Sequence, residues 1–429
     1  MKNRLCIIFL LYFSLSPLAA TESPVLLMAK KISRCISAER KPEGKWFAAR
    51  FIKAVPIEKI DALFKKFYKE YGRVSKVIEQ KRLSDTSASY HFIFEKQFFV
   101  LMKLYLSSDH KQITGLWFDN PMQLNDSFEL IIRDLQKLAG SVALSIMDLA
   151  RADKHLVAIN NHKPMEIGST FKLYVLGVLM TEIQAGKLHW QDVIKLNSAL
   201  FSYPGGFLHT WPDDAPTTLH TLATLMISIS DNTATDLLIH HLGRDKIEKI
   251  LPEMGNSKPE LCTPFLTTFE LFFMELEKEK IWLKNYIKAE KADRYKMLKD
   301  FYKQPRPDIT NYDSKRRPWT KSVGWIVSTD DLCKAIQWIL KTSNFKKNST
   351  AMQILAVNSG VMFNKQNWKY VGYKGGSEGG VLNMTFLMQN KHDKWFTLSA
   401  SWNHPTRDLE SGKFITIVNR CFLQLGKQR

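Results

Sequence analysis

The sequence predicts two units of mixed α and β structure: an α+β module towards the N-terminus, then a larger α/β domain with an antiparallel sheet and a helical subdomain. Three observations carry that expectation. At 429 residues the chain is longer than one hydrophobic core usually organises. Across residues 46–118 the apolar period changes from helical to strand-like. Within residues 142–160, and again within 368–402, β-branched and aromatic runs of strand length flank a long helical middle.

Apolar residues at 45% and charged residues at 24% are ordinary for a folded globular chain. Residues 1–20 read as a cleaved signal peptide: Lys2 and Arg4 give a charged start, an apolar run follows, and Ala19 and Ala20 are small residues suited to cleavage. Export to the periplasm or the exterior follows from that reading. An uncleaved anchor is the competing one, for which the apolar run is short. Beyond this segment stand Cys35, Cys262, Cys333 and Cys421, an even number whose pairing the sequence does not reveal. With no CxxC or Cys/His spacing, neither a metal nor another cofactor is expected.

The formal charge of +19 falls to +17 without Lys2 and Arg4. No stacking motif or recognition helix accompanies it, so nucleic acid is not an expected partner. Residues 278–321 hold 14 Lys and Arg against 6 Asp and Glu. That stretch is either a contact surface for an anionic cell envelope or a solvated helical face.

In residues 21–122, Phe47, Phe51, Ile52, Val55, Ile60, Leu63, Phe64 and Phe67 recur at helical spacing. Phe92, Ile93, Phe94, Phe98, Phe99 and Val100 then introduce a strand meander. Helices followed by a curved antiparallel sheet resemble an NTF2-like or cystatin-like module. It carries no catalytic signature, which leaves an accessory role. Residues 123–429 begin with a helix to about Leu138, strands over 142–147 and 156–160, and a helix starting at Ser169. They end with strands over 368–374, 381–389 and 395–402 and a closing helix over 414–425. The two ends are expected to complete one sheet around the helical middle.

Three short elements in this second region carry chemistry. Ser169-x-x-Lys172 places both residues on one helical face, so the lysine nitrogen can reach the serine hydroxyl. The helix N-terminus adds a positive dipole where an oxyanion would form. Ser230-Asp231-Asn232 offers a hydroxyl and an amide side by side, able to relay a proton and orient an amide substrate. Lys374-Gly375-Gly376, followed by Ser377, ends a strand with a cation beside bare backbone, which suits an acyl group extended along a strand edge. Taken singly, the first two are ordinary helix caps and the third a glycine-rich hairpin.

Together and in this order they resemble the S-x-x-K, S-D-N and K-T-G set of class A β-lactamases and penicillin-binding proteins, whose domain is DD-peptidase-like. The separation of 61 residues between Ser169 and Ser230 matches that family, whereas the 144 from Ser230 to Lys374 imply an insertion, largely the basic stretch. The resemblance implies that Ser169 is acylated, that Lys172 activates it or holds a water and that Ser230 passes a proton to the leaving nitrogen. It further implies that Asn232, Lys374 and Gly376 grip the substrate and that the N–H groups of Ser169 and Ser377 form an oxyanion hole. Tyr203, in Phe201-Ser202-Tyr203-Pro204, resembles the family's aromatic gatekeeper, with a core tyrosine as the plain alternative.

Two departures stand out. Gly375 replaces the hydroxyl residue that helps bind a substrate carboxylate, a role Ser377 could take. In the loop that carries the deacylating glutamate as Glu-Pro-Glu-Leu-Asn, residues 258–262 match best, with Lys258 at the glutamate and Glu260 two places on. The sequence thus points to an exported serine hydrolase acting on a small-molecule β-lactam or ester, with slow deacylation. It resembles two-domain members that carry an N-terminal NTF2-like domain. A penicillin-binding receptor that stays acylated and a D-Ala-D-Ala carboxypeptidase remain open.

Overall fold

The computed structural model describes residues 22–428, apart from 39, 120, 152–153, 277–280, 304–322, 362 and 364–365. The segment read as a signal peptide lies outside the described residues. Two compact units divide between Asn125 and Asp126.

In the first unit, helices α1 (Pro24–Ser37), α2 (Ala49–Ala54) and α3 (Ile57–Tyr71) precede strands β1 (Val74–Ser84), β2 (Ser87–Phe94), β3 (Phe98–Leu106), β4 (Ile113–Phe118) and β5 (Met122–Gln123). The helical run expected over residues 46–71 is two helices, because Pro56 cannot continue α2 and instead starts the next helix as its N-cap. Neighbouring strands pair antiparallel in the order β1-β2-β3-β4, with β5 against β3. Ile32, Phe64, Phe67, Tyr90, Phe92 and Val100 share the core beneath the helices. Edge strand β1 is almost wholly exposed and carries Lys76, Glu79, Lys81 and Arg82, charges that discourage pairing with another sheet and that hid it from the sequence pattern.

The second unit begins with α4 (Phe128–Gln136), β6 (Ser141–Asp148), β7 (His155–Ile159) and the short β8 (Met165–Glu166). Its middle comprises α5 (Lys172–Gln184), β9 (Val193–Lys195), β10 (Pro216–Thr218), α6 (Leu219–Ser228), α7 (Asn232–Leu242) and α8 (Arg244–Glu253). Helices α9 (Thr268–Leu276), α10 (Ile281–Lys288) and α11 (Lys291–Phe301) follow, then β11 (Ile326–Val327), α12 (Thr329–Thr342) and α13 (Thr350–Ala356). Strands β12 (Trp368–Glu378), β13 (Val381–Asn390) and β14 (Trp395–Asn403) and helix α14 (Ser411–Gly426) close the unit.

The main sheet runs β12-β13-β14-β6-β7, so strands from the two ends of the unit pair directly through β14 and β6. Its two faces bury different cores. On one, Phe386, Phe396 and Leu398 meet Ile131 and Leu135 of α4 and Phe414 and Phe422 of α14. The other face carries α12 and the helical middle, whose own core surrounds Phe171, Leu176, Leu238 and Ile336. Cys35, Cys262, Cys333 and Cys421 are all free and buried.

One buried ion cluster fastens the closure. Arg420 of α14 donates from Nε and Nη2 to the two oxygens of Asp126, at 2.7 and 2.8 Å, and from Nη1 to Asp134 of α4 at 2.8 Å. Removing the guanidinium would strand the buried Asp126 carboxylate. Arg420→Ala is therefore expected to lose about 3 kcal/mol of stability, read as a lower midpoint in chemical denaturation with an unchanged folded baseline.

Candidate active site

The nucleophile candidate lies in a single 3-10 turn, Gly168–Phe171, and α5 starts only at Lys172. The sequence placed the helix start at Ser169. A tighter first turn is common at helix N-termini, and at three residues per turn it aligns positions i and i+3. Phe171 fixes the turn by stacking on Trp325, with centroids 3.7 Å apart. Ser169 is partly exposed, while Lys172 is fully buried. Among the described residues Ser169 Oγ has no protein hydrogen-bond partner. The amine of Lys172 is aimed elsewhere: Nζ donates to Ser230 O at 2.7 Å, to Ser230 Oγ at 3.1 Å and to Asn232 Oδ1 at 2.7 Å. Such contacts often tighten only when substrate is bound.

Ser230 sits between α6 and α7 with φ at 60°, a left-handed conformation that a serine adopts only when its surroundings impose it. Asp231 imposes it. One carboxylate oxygen caps α7 through Ala234 N at 2.9 Å, and the other accepts from Phe207 N at 2.8 Å and Leu208 N at 2.9 Å. Asn232 Nδ2 donates to Pro204 O, and Ser202 N donates to Thr233 Oγ1 at 2.9 Å. The segment holding Tyr203 is thereby clasped over the turn. Tyr203 itself is half-buried against His209, with ring centroids 4.2 Å apart, beside Phe269 and Phe301.

The third element does not end its strand. Strand β12 continues through Gly375 and Gly376 to Glu378, paired residue by residue with β13. Lys374, buried, donates from Nζ to Ser230 Oγ at 3.0 Å and to Gly375 O at 2.6 Å. Gly376 is pressed against the Ser169 turn: a Cβ there would lie 2.0 Å from Ile167 O and 2.6 Å from Ser169 N. Across the same contact, a Cβ on Gly168 would lie 3.1 Å from Ser377 N. The backbone nitrogens of Ser169 and Ser377 therefore lie on either side of one junction between the turn and the strand.

Beneath the turn, Thr170 Oγ1 donates to Asn383 Oδ1 at 2.8 Å, as does Thr385 Oγ1 at 2.9 Å, and Asn383 Nδ2 donates to Ser401 Oγ at 2.8 Å. This buried polar ladder ties the nucleophile's neighbour to β13 and β14. Nothing in the motifs announced it, although alternation in β13 does place Asn383 and Thr385 on one face.

Burial pushes the Lys172 amine down to about 7, against the opposing charges of Asp236, Asp231 and Glu378. Burial and the neighbouring Lys172 carry Lys374 well below its ordinary value. Asp236, one turn beyond Asn232 on α7, is raised to about 7 by burial. Its two oxygens accept Thr268 N at 2.8 Å and Phe269 N at 2.9 Å, capping α9. The sequence reading missed it, although spacing of four residues from Asn232 was the available signal. Lys258 and Glu260, singled out in the glutamate loop, are exposed. The backbone packed on α7 is that of Thr268 and Phe269 instead, because Asp236 draws it in. Among the described residues, no group of His, Cys, Asp or Glu stands in positions that would hold a metal.

The chain is similar to several known proteins. Residues 126–310 match the model of the β-lactamase enzyme family. PenP of Rhodopseudomonas palustris, which bears the class A β-lactamase name, superposes with a TM-score of 0.50 at 12% identity, covering 70% of this chain and 98% of its own. A β-lactamase of Sphaerobacter thermophilus gives 0.49 at 18% identity, covering 71% of this chain and 100% of its own. The protein called PBP-A gives 0.46 at 14% identity, covering 69% and 95%. No curated protein matches the chain. Residues 126–310 thus resemble that family, and the fold of the second unit is β-lactamase-like.

The contact at Gly376 yields a direct expectation. Gly376→Ala must push the strand from the Ser169 turn, and displacement of about 1 Å at a reacting centre costs about a hundredfold in rate. The time course of Ser169 modification by penicillin, followed by intact mass in a variant with native circular dichroism, measures that loss.

Proposed function

We propose that the β-lactamase-like unit is an exported serine hydrolase that forms an acyl-enzyme on Ser169, with β-lactam amides or related esters as substrates. The observation that carries this reading is the position of Ser230 Oγ, 3.1 Å from Lys172 Nζ and 3.0 Å from Lys374 Nζ. A hydroxyl has two lone pairs and one proton. Two lysines occupy the lone pairs and leave the proton for a leaving group on the open side.

The proposed steps require the Lys172 amine to turn to Ser169 when substrate binds. Ser169 Oγ bonds to the acyl carbon as its proton passes to the neutral Lys172 amine, and the carbonyl pair moves onto oxygen beside the N–H groups of Ser169 and Ser377. When that pair returns, the C–N or C–O bond breaks. The leaving atom takes the Ser230 proton, and Lys172 restores it, ending neutral as it began.

Release of the acyl group needs water and a base aimed at it. Exposed Lys258 and Glu260, and an Asp236 whose oxygens both accept backbone N–H groups, support a slow second step in which Lys172 must serve again. The same features favour, as a second reading, a penicillin-binding receptor that stays acylated. Residues 1–20 fit an export signal and the first unit an NTF2-like accessory module. The basic stretch 278–321, of which α10 and α11 are described, fits contact with an anionic envelope surface.

Incubation with a fluorescent penicillin, a chromogenic cephalosporin and a short-chain aryl ester, each followed by intact mass, tests the reading. The expected result is an adduct on Ser169, absent from Ser169→Ala, with a burst of product equal to enzyme for the β-lactams. Labelling that survives in Ser169→Ala would overturn the assignment of the nucleophile, and fast steady cleavage without an adduct would overturn slow release. The acylation rate should rise with pH through about 7 and then level, because the reactive amine form of Lys172 is lost to protonation below that value.

A further inference from the structure

The basic stretch 278–321, read from the sequence as an insertion, is two-faced in its described part. On α10 and α11, Lys284, Lys288, Lys291, Lys296 and Lys299 are exposed, whereas Leu283, Tyr286, Leu298 and Phe301 are buried. Leu283, Tyr286 and Leu298 enter the core of the helical middle. Solvated lysines account for one face of such helices, and the contacts of the other face show what the insertion is packed to support.

That other face meets the backbone of residues 265–269. Tyr295 Oη of α11 donates to Glu248, whose Oε1 accepts Phe265 N at 2.8 Å. Tyr302 Oη, at the C-terminal cap of α11, lies 3.2 Å from Thr267 Oγ1 and 3.2 Å from His240 Nε2 of α7. Arg244 of α8 donates to Phe265 O and, at 2.6 Å, to Glu270, which accepts Thr267 N at 2.8 Å. With the Asp236 carboxylate on Thr268 N and Phe269 N, the segment is bonded to α7, α8 and the end of α11 at once.

The segment in turn bears on the loop that is clasped to the Ser230 turn. Thr268 Oγ1 lies 2.8 Å from Ser202 Oγ, and Tyr203 packs against the buried pair Phe269 and Phe301. Phe301 stands at the middle of that aromatic cluster, its ring centroid 5.4 Å from Phe269, 4.4 Å from Phe273 and 5.9 Å from Trp282. The loop itself is held to the Ser230 turn through Pro204 O, Phe207 N and Leu208 N. Direct contacts therefore run from the insertion through Phe301 and Tyr203 to the turn that carries Ser230.

We propose that the insertion is a wall of the active site, with Phe301 as a positioning residue that holds Tyr203 and its loop against the Ser230 turn. This rests on the acyl-enzyme reading of Ser169. It gives the apolar face of the insertion a role separate from any envelope contact made by its lysines.

The experiment is a double-mutant cycle on the full chain, read as second-order acylation of Ser169 by a penicillin. Phe301→Ala should slow acylation about tenfold, yet in a Tyr203→Ala background the same change should cost less than about twofold, because residues that act as a unit do not contribute additively. Phe301→Leu, which keeps an apolar side chain in the cluster, should recover most of the rate. Tyr302→Phe opens no cavity and serves where Phe301→Ala does not fold: it should cost about threefold, the usual effect of one lost hydrogen bond, and again nothing further without Tyr203. Losses that multiply in the double variants overturn the proposal, as does a rate within about twofold of the parent in folded Phe301→Ala. Amide hydrogen exchange reads the same contacts without substrate. At Ser202, Phe207 and Leu208 it should quicken about tenfold in Phe301→Ala, and unchanged exchange there also overturns the proposal. A parent protein that never labels at Ser169 would instead refute the acyl-enzyme reading, while exchange would still decide whether Phe301 holds the loop.

Discussion

A lysine amine without solvent exposure, at the head of an apolar helix, is the constraint from which the site follows. An unpaired charge there would be prohibitively costly. Lys172 meets three oxygens, none of them a carboxylate, and burial lowers its proton affinity until the amine and ammonium forms are close to balance near neutrality. Two of those oxygens belong to Ser230, and presenting both requires its left-handed backbone. Asp231 maintains that conformation through three backbone donors, so a strained turn is held by a carboxylate that never meets the lysine directly.

The nucleophile turn is clamped from two directions. Bare backbone at Gly376 closes on it from the strand edge, and the ladder through Thr170, Asn383 and Thr385 anchors it to the sheet below. Fully satisfied buried networks of this kind restrict the alternatives open to a core. A one-residue slip of β13 would turn Asn383 to the opposite face and leave Thr170 without its acceptor. Strand register and nucleophile position are thus specified together.

Much of this was legible in the sequence, for identifiable reasons. The end strands β12, β13 and β14 are long, apolar and punctuated by turns, and their period alone located them to within a few residues. The three motifs were readable because their spacing sets chemistry as well as structure. Other features were not. Strand β1 is an exposed edge whose apolar residues are interrupted by charged and polar ones without regular alternation, so a hydrophobic pattern could not reveal it. Lys374-Gly375-Gly376 read as the end of its strand because paired glycines commonly mark a turn, whereas the ladder with β13 carries the strand on through them to Glu378. Asp236 resembles any polar helical residue until the loop it caps comes into view. The surroundings of Lys258 and Glu260 were hidden for a related reason, since several prolines punctuate residues 252–264 and only the tertiary fold shows which backbone meets α7.

The four buried cysteines bear on how the chain matures. None is paired, and burial raises the thiols of Cys262, Cys333 and Cys421 to about 12 and that of Cys35 to about 11. Thiol exchange proceeds through the thiolate, which is scarce under those conditions. Packing at these positions is carried by sulfur as a small apolar group, with Cys333 and Cys262 offering their S–H groups to the carbonyls of Ser145 and Ile326. The fold described here thus needs neither an oxidant nor a disulfide isomerase, and the redox poise of the compartment it folds in is not part of its stability.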